Sequence, residues 1–192
     1  MTDPGILRSA TDPRWVGVAM ADLDATLGDH AHCEKKAAAT AVKLVADHPD
    51  RPDLVRKLAR LAQEETYHFL AVLNELALRG RTLPPDGGDP YAQGLLKLVG
   101  GGPGRLSGLL LVCAFIEARS FERLTLLGEA LPEGRLRDFY RKLAASEVGH
   151  ARLFLDLART HADGTDVDAR LSRMADEEAA LVAALPVLPR IH

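Results

Sequence analysis

Six residues in this 192-residue chain have the types and spacing of a metal-binding set: Glu34, then Glu65 with His68, then Glu117, then Glu147 with His150. Each of the two Glu-x-x-His pairs places a carboxylate and an imidazole on one face of a helix, one turn apart. Eleven glutamates and seven histidines scattered over 192 residues would give fewer than one such pair by chance. A single pair on a solvated helix face would mean little. Here each pair also has a glutamate upstream at nearly the same separation, Glu34 before Glu65 and Glu117 before Glu147, so the second half of the set repeats the first.

The neighbours at helical spacing are apolar. Glu34 shares its stripe with Ala37, Ala38, Ala41 and Val45; Glu65 and His68 lie with Leu58, Leu61, Phe69, Val72 and Leu76. Glu117 lies with Leu110, Cys113, Ala114, Phe121 and Leu124, and Glu147 and His150 with Tyr140, Leu143, Ala144, Phe154 and Leu157. Four acids brought together on buried faces would each cost on the order of several kcal/mol unless compensated. Two divalent cations set four positive charges against four negative ones. A carboxylate and imidazole set without thiolates suits iron or manganese better than a soft metal. One Glu on each of two helices, with Glu-x-x-His on each of two others, is the ligand pattern of the ferritin-like carboxylate proteins.

These residues need four helices that return to one level, and the sequence supplies them. Ala and Leu recur at helical spacing, and alternating strand-like runs are scarce. The pattern predicts a short helix from about Trp15 to Leu27 broken at Gly28, with Asp29 capping the next. Helix one then runs from about His30 to His48, before Pro49 and Pro52, and helix two from about Asp53 to Arg79, closed by Gly80 as a left-handed cap. A Pro/Gly-rich connector follows, roughly residues 81–105, with a short helix near Tyr91–Val99. Helix three spans about Leu106–Leu131, helix four about Glu133–Thr160, and a last amphipathic helix about Val167–Leu185. The arms Glu34 to His48, Asp53 to Glu65, Glu117 to Leu131 and Glu133 to Glu147 are nearly equal in length. At about 1.5 Å per residue each arm is roughly 18–21 Å, so donors in a hairpin return to the same level. The reading is all-α: a ferritin-like four-helix bundle with one long crossover, plus short N-terminal, connector and C-terminal helices. It is taken as one domain over residues 1–192, its four core helices lying within about 30–160.

Composition narrows the class. With 47% hydrophobic residues, 27% charged and a net charge of −3, this is ordinary globular material. Two cysteines, Cys33 and Cys113, cannot build a disulfide framework and read as small core residues in a reducing cytoplasm. Met1 to Trp15 lacks the form of a signal peptide, and the longest apolar run, Leu109–Ile116, is too short for a membrane span. The Gly100–Gly104 run is not followed by the Lys-Ser/Thr of a phosphate loop. His30 and His32 read as helix-start capping or surface groups, and His161 and His192 as exposed. Tyr67 and Tyr140 read as core or rim packing, and Arg119 with Glu122 as a structural ion pair.

The segment Asp29-His30-Ala31-His32-Cys33-Glu34-Lys35-Lys36-Ala37-Ala38 resembles the first ligand helix of the tRNA-(2-methylthio-N6-isopentenyladenosine) hydroxylase family, the MiaE type. Glu64-Glu65-Thr66-Tyr67-His68-Phe69, Ile116-Glu117-Ala118-Arg119-Ser120-Phe121-Glu122-Arg123 and Ser146-Glu147-Val148-Gly149-His150 resemble its other three motifs. The likeness runs from about Trp15 to Ala158. It implies an O2-dependent non-haem di-iron monooxygenase, its two irons held by Glu34, Glu65, His68, Glu117, Glu147 and His150. The implied reaction hydroxylates the isopentenyl group of the modified adenosine at position 37 of tRNA. No flavin or iron–sulfur motif is present, so an external reductase or ferredoxin is expected to supply electrons. Residues 51–160 carry 16 Lys/Arg against 13 Asp/Glu, and Arg51, Arg56, Lys57, Arg60, Arg79 and Arg81 are candidates for a basic face toward tRNA. The alternatives are a ferritin-like ferroxidase or peroxide-handling iron protein, and a metal-free helical interaction module.

Overall fold

The computed structural model describes residues 4–192, so the start of the Met1–Trp15 stretch lies outside the described chain. Among the described residues the chain forms seven α-helices and no strand. They are α1 (Arg14–Ala21), α2 (Leu23–Asp47), α3 (Pro52–Leu78), α4 (Pro90–Leu96), α5 (Arg105–Ala130), α6 (Arg135–Thr160) and α7 (Val167–Ala184). The expected all-α class and the four long helices therefore stand. The chain divides into two compact units, one of residues 19–87 with 189–191, the other of residues through Val18 with 88–188 and 192.

In the first unit α2 packs against α3. The break expected at Gly28 is absent, because the chain turns earlier: the Asp22 carboxylate accepts from the Ala25 N–H at 2.9 Å and caps α2. One glycine costs a helix only about 1 kcal/mol, too little to stop it against tertiary packing. Gly28 has a different use. A Cβ there would stand 2.5 Å from the Pro84 ring, so its missing side chain lets the connector lie against the helix. Pro49 and Pro52 do end α2, and Pro52 opens α3 at a position where its missing N–H is not needed. At the far end Gly80, at φ 68°, supplies the expected left-handed residue. Its N–H bonds the Ala77 carbonyl at 2.9 Å and the Arg81 N–H the Leu76 carbonyl at 2.9 Å. The inner face of α3 (Leu54, Leu58, Leu61, Val72, Leu76) is at most 2% exposed. Such burial stabilises by about 1.5–3 kcal/mol per side chain relative to exposure.

In the second unit α5 packs against α6, while α4 and α7 both contact α5. Buried side chains occur all round α5, as expected of a central helix. The anticipated Arg119–Glu122 pair is present but is part of a larger network. The fully buried Arg119 guanidinium donates to Glu178 of α7 at 2.7 and 3.2 Å, to the Thr11 hydroxyl, to the Ser9 carbonyl and to Glu122. Tyr91 of α4 donates its hydroxyl to the same Glu178 oxygen at 2.9 Å. Burial opposes the Arg119 charge, but Glu178, Tyr91 and Glu122 outweigh it and raise its pKa above the ordinary value. Burial first, then Glu178, pushes the Tyr91 hydroxyl well up. One carboxylate thus ties α4, α5 and α7 together.

Removing one partner of a buried ion pair costs about 3–5 kcal/mol because the other is left desolvated. Glu178→Ala is therefore expected to lower the melting temperature by roughly 6–20 °C, with Glu178→Gln falling less because its amide oxygen still accepts. Thermal unfolding followed by circular dichroism checks this, and an unchanged midpoint for Glu178→Ala would contradict it.

Candidate metal centre

In the first unit α2 carries Glu34, and α3 carries Glu65 and His68. All three are buried, Glu65 completely. His68 Nδ1 stands 3.3 Å from Glu65 Oε2 and 3.7 Å from Glu34 Oε2. Glu34 therefore meets His68 of the returning helix at the level that equal hairpin arms require.

The other Glu34 oxygen, Oε1, lies 2.7 Å from Nε2 of His30, one turn earlier on α2. A carboxylate can only accept, so His30 Nε2 carries the proton. His30 is not a capping or surface group. It lies inside α2, is 1% exposed, and fixes the carboxylate so that Oε2 faces His68. The signal that marks it in the sequence is the i, i+4 spacing of His30 and Glu34, which puts both on one face once Gly28 is recognised as helical. His32 is also buried, with Nε2 2.8 Å from the Pro84 carbonyl and Nδ1 2.8 Å from Lys35 Nζ.

In the second unit α6 carries Glu147 and His150, both buried, with His150 Nδ1 3.4 Å from Glu147 Oε2. Glu117 on α5 is buried as well. The Arg141 side chain bonds the Gly128 carbonyl across the α5–α6 turn. Taking those two as level, Glu117 falls about level with residue 152, some 3 Å along the axis from His150. Burial first, and then the charge of Glu117, raises the thiol pKa of Cys113, one turn before it on α5. Cys33 and Cys113 are both buried free thiols, as expected of small core residues.

Glu65–His68 and Glu147–His150 are thus buried carboxylate–imidazole groups able to hold metal. The spacing of the two donors in each pair is compatible with ligation of a cation. Two ligand atoms each about 2.1 Å from one cation, at octahedral to tetrahedral angles, are roughly 3.0–3.4 Å apart. The observed 3.3 and 3.4 Å between Nδ1 and the partner carboxylate match this spacing.

Two other expectations change. His192 is not exposed: its side chain lies 3.1 Å from Asp89, 2.9 Å from the Ser120 hydroxyl and stacked on Tyr91. Tyr140 is core, but Tyr67 is 69% exposed rather than packed. No described helix is long and apolar enough to cross a membrane.

Comparison with known proteins agrees with this geometry. The family model described as tRNA-(ms2io6A) hydroxylase (MiaE) matches residues 2–192. The tRNA 2-(methylsulfanyl)-N6-isopentenyladenosine(37) hydroxylase of Pseudomonas putida is 41% identical over 158 residues, covering 82% of this chain and 77% of that protein. The enzyme of the same name from Salmonella typhimurium is 34% identical over 137 residues, covering 71% of this chain and half of its own length. A solved Synechococcus structure, a protein with aldehyde deformylating oxygenase activity, superposes with a TM-score of 0.90 at 36% identity, over 97% of this chain and 94% of its own. That match supports the ferritin-like reading of the helices. With its whole described length accounted for and both Glu-x-x-His pairs buried, the chain belongs to the MiaE family of tRNA hydroxylases.

Proposed function

We propose that this protein is an O2-dependent di-iron monooxygenase that hydroxylates the isopentenyl group of (methylthio)-N6-isopentenyladenosine at position 37 of tRNA. The observation that carries the reading is the pair of buried Glu-x-x-His groups within a chain of this family. Glu34, Glu65, His68, Glu117, Glu147 and His150 are the proposed ligands. When bound, two iron ions supply O2 activation, with two electrons from an external reductase or ferredoxin.

The chain's own residues do the rest. Each imidazole faces its neighbouring carboxylate through Nδ1, which must be unprotonated to ligate. His30 holds Glu34 by donating from Nε2, which leaves the other carboxylate oxygen turned toward His68. Around the acids, Leu61, Val72, Leu110, Ala114, Leu143 and Phe154 are buried and keep water from the donors. An isopentenyl group is itself apolar and suits such surroundings. The aldehyde activity of the Synechococcus protein favours a second reading, in which an aldehyde is the substrate.

Incubation with isopentenylated tRNA, O2 and a reductant, followed by digestion to nucleosides, is expected to add one oxygen atom to the prenylated adenosine. Mineral formation without that mass gain would favour iron storage, and conversion of an aldehyde instead would favour the second reading. His30→Ala is expected to weaken Fe(II) affinity about 10- to 100-fold while the helical spectrum is kept, as measured by competition with a chelator. Affinity unchanged by the substitution would remove His30 from the centre.

A further inference from the structure

The two faces of α3 differ in kind. One holds Leu58, Leu61, Glu65, His68 and Val72; the other presents to solvent the row Arg56, Arg60, Gln63, Tyr67, Leu70 and Asn74, at alternating i+4 and i+3 steps. Of the six basic residues suggested by the sequence, the structure separates the engaged from the available. Arg79 and Arg81 both bind Asp24, at 2.5 and 2.6 Å, and hold its carboxyl below the ordinary range. Lys57 pairs with Asp53 at 3.0 Å, and Arg51 is half-buried at the start of α3. Arg56 and Arg60 are exposed and make no ion pair among the described residues. Glu64, the acid nearest the row, has a partner of its own.

Two arginine positions thus lie about 6 Å apart along the helix axis, with no carboxylate in their row. Two turns on, the row reaches Tyr67, 69% exposed, and then Leu70, 53% exposed. Tyr67 is bonded in sequence to His68, and their ring centroids are 6.4 Å apart. An exposed aromatic ring beside available guanidiniums is the combination that holds single-stranded nucleic acid: phosphates pair with the cations and a base stacks on the ring. A rigid helix offers both at fixed spacing, next to a buried candidate ligand.

We propose that the outer face of α3 docks the single-stranded anticodon loop of the tRNA substrate, with a base stacked on Tyr67 and backbone phosphates on Arg56 and Arg60. This rests on the hydroxylase reading above, which supplies the substrate. The charge of the row is of one sign, which favours a polyanion over the reductase as occupant.

The two contact types leave different signatures in equilibrium binding of a prenylated anticodon stem-loop RNA to the iron-loaded chain, titrated at several salt concentrations. Tyr67→Ala is expected to weaken binding about tenfold with the salt slope unchanged, and Tyr67→Phe, which keeps the ring, to stay within about twofold. Arg56→Ala and Arg60→Ala are each expected to flatten the plot of log affinity against log salt by about 0.7–0.9. In turnover these losses fall on KM, with iron content unchanged. If wild type binds and hydroxylates the RNA while all four variants match it in affinity and slope, the docking face is wrong and the hydroxylase reading stands. A defect only in reductase-dependent electron delivery would assign the face to the reductase instead. Failure of wild type to bind or hydroxylate the RNA would overturn both.

Discussion

An acid buried on an apolar helix face is unfavourable unless positive charge or donors meet it, and this chain answers that constraint in two chemically different ways. Glu178 is met by the guanidinium of Arg119 and the hydroxyl of Tyr91, groups that cannot bind metal in those roles. Glu34, Glu65 and Glu147 instead stand against imidazoles, through Nδ1 of His68 and His150 and through Nε2 of His30. An arginine partner closes a site permanently. A neutral histidine keeps a lone pair on one ring nitrogen that a cation can use, so Glu65 and Glu147 beside His68 and His150, unlike Glu178, form groups able to hold metal.

The elements follow from holding such groups at fixed positions. Long helices with proline stops between α2 and α3 make the arms equal, so that Glu34, Glu65 and His68 meet within one hairpin. Gly28 lets the connector approach α2 beside His30 and His32, and the Pro84 carbonyl then accepts a hydrogen bond from His32. The Arg119 network ties α5 to α4 and α7 just beyond Glu117. The likeness to a Synechococcus protein with aldehyde deformylating oxygenase activity shows that this scaffold is shared by a protein of different described activity.

Much of this is legible in the residues. The six proposed donors can be picked out because Glu-x-x-His spacing, apolar neighbours and equal arm lengths are all local or arithmetic properties, and the four of the two Glu-x-x-His pairs are buried in groups able to hold metal. Most ends of the long helices are readable because prolines and Gly80 punctuate them. What fails depends on long-range packing. Gly28 reads as a break because intrinsic propensity is visible in sequence, whereas the Pro84 ring that needs the space belongs to the connector beyond α3. His30 and His32 are misplaced by the same error, since a helix starting at residue 30 puts them in its first turn. His192 reads as exposed because nothing local announces Asp89, Tyr91 and Ser120 as its neighbours. Sequence proximity pairs Arg119 with Glu122, while the buried carboxylate of Glu178 on a different helix is the partner that outweighs it.

If metal compensates the buried acids, the chain must retain it. Anaerobic loading with Fe(II), removal of loosely bound ions, and Mössbauer spectroscopy with an iron count per chain test it most directly. The expected result is about two irons per chain, in nitrogen and oxygen coordination, with Glu65→Ala and His150→Ala each failing to retain the pair. A folded wild-type chain that keeps less than one iron, or keeps its iron in both variants, would contradict it.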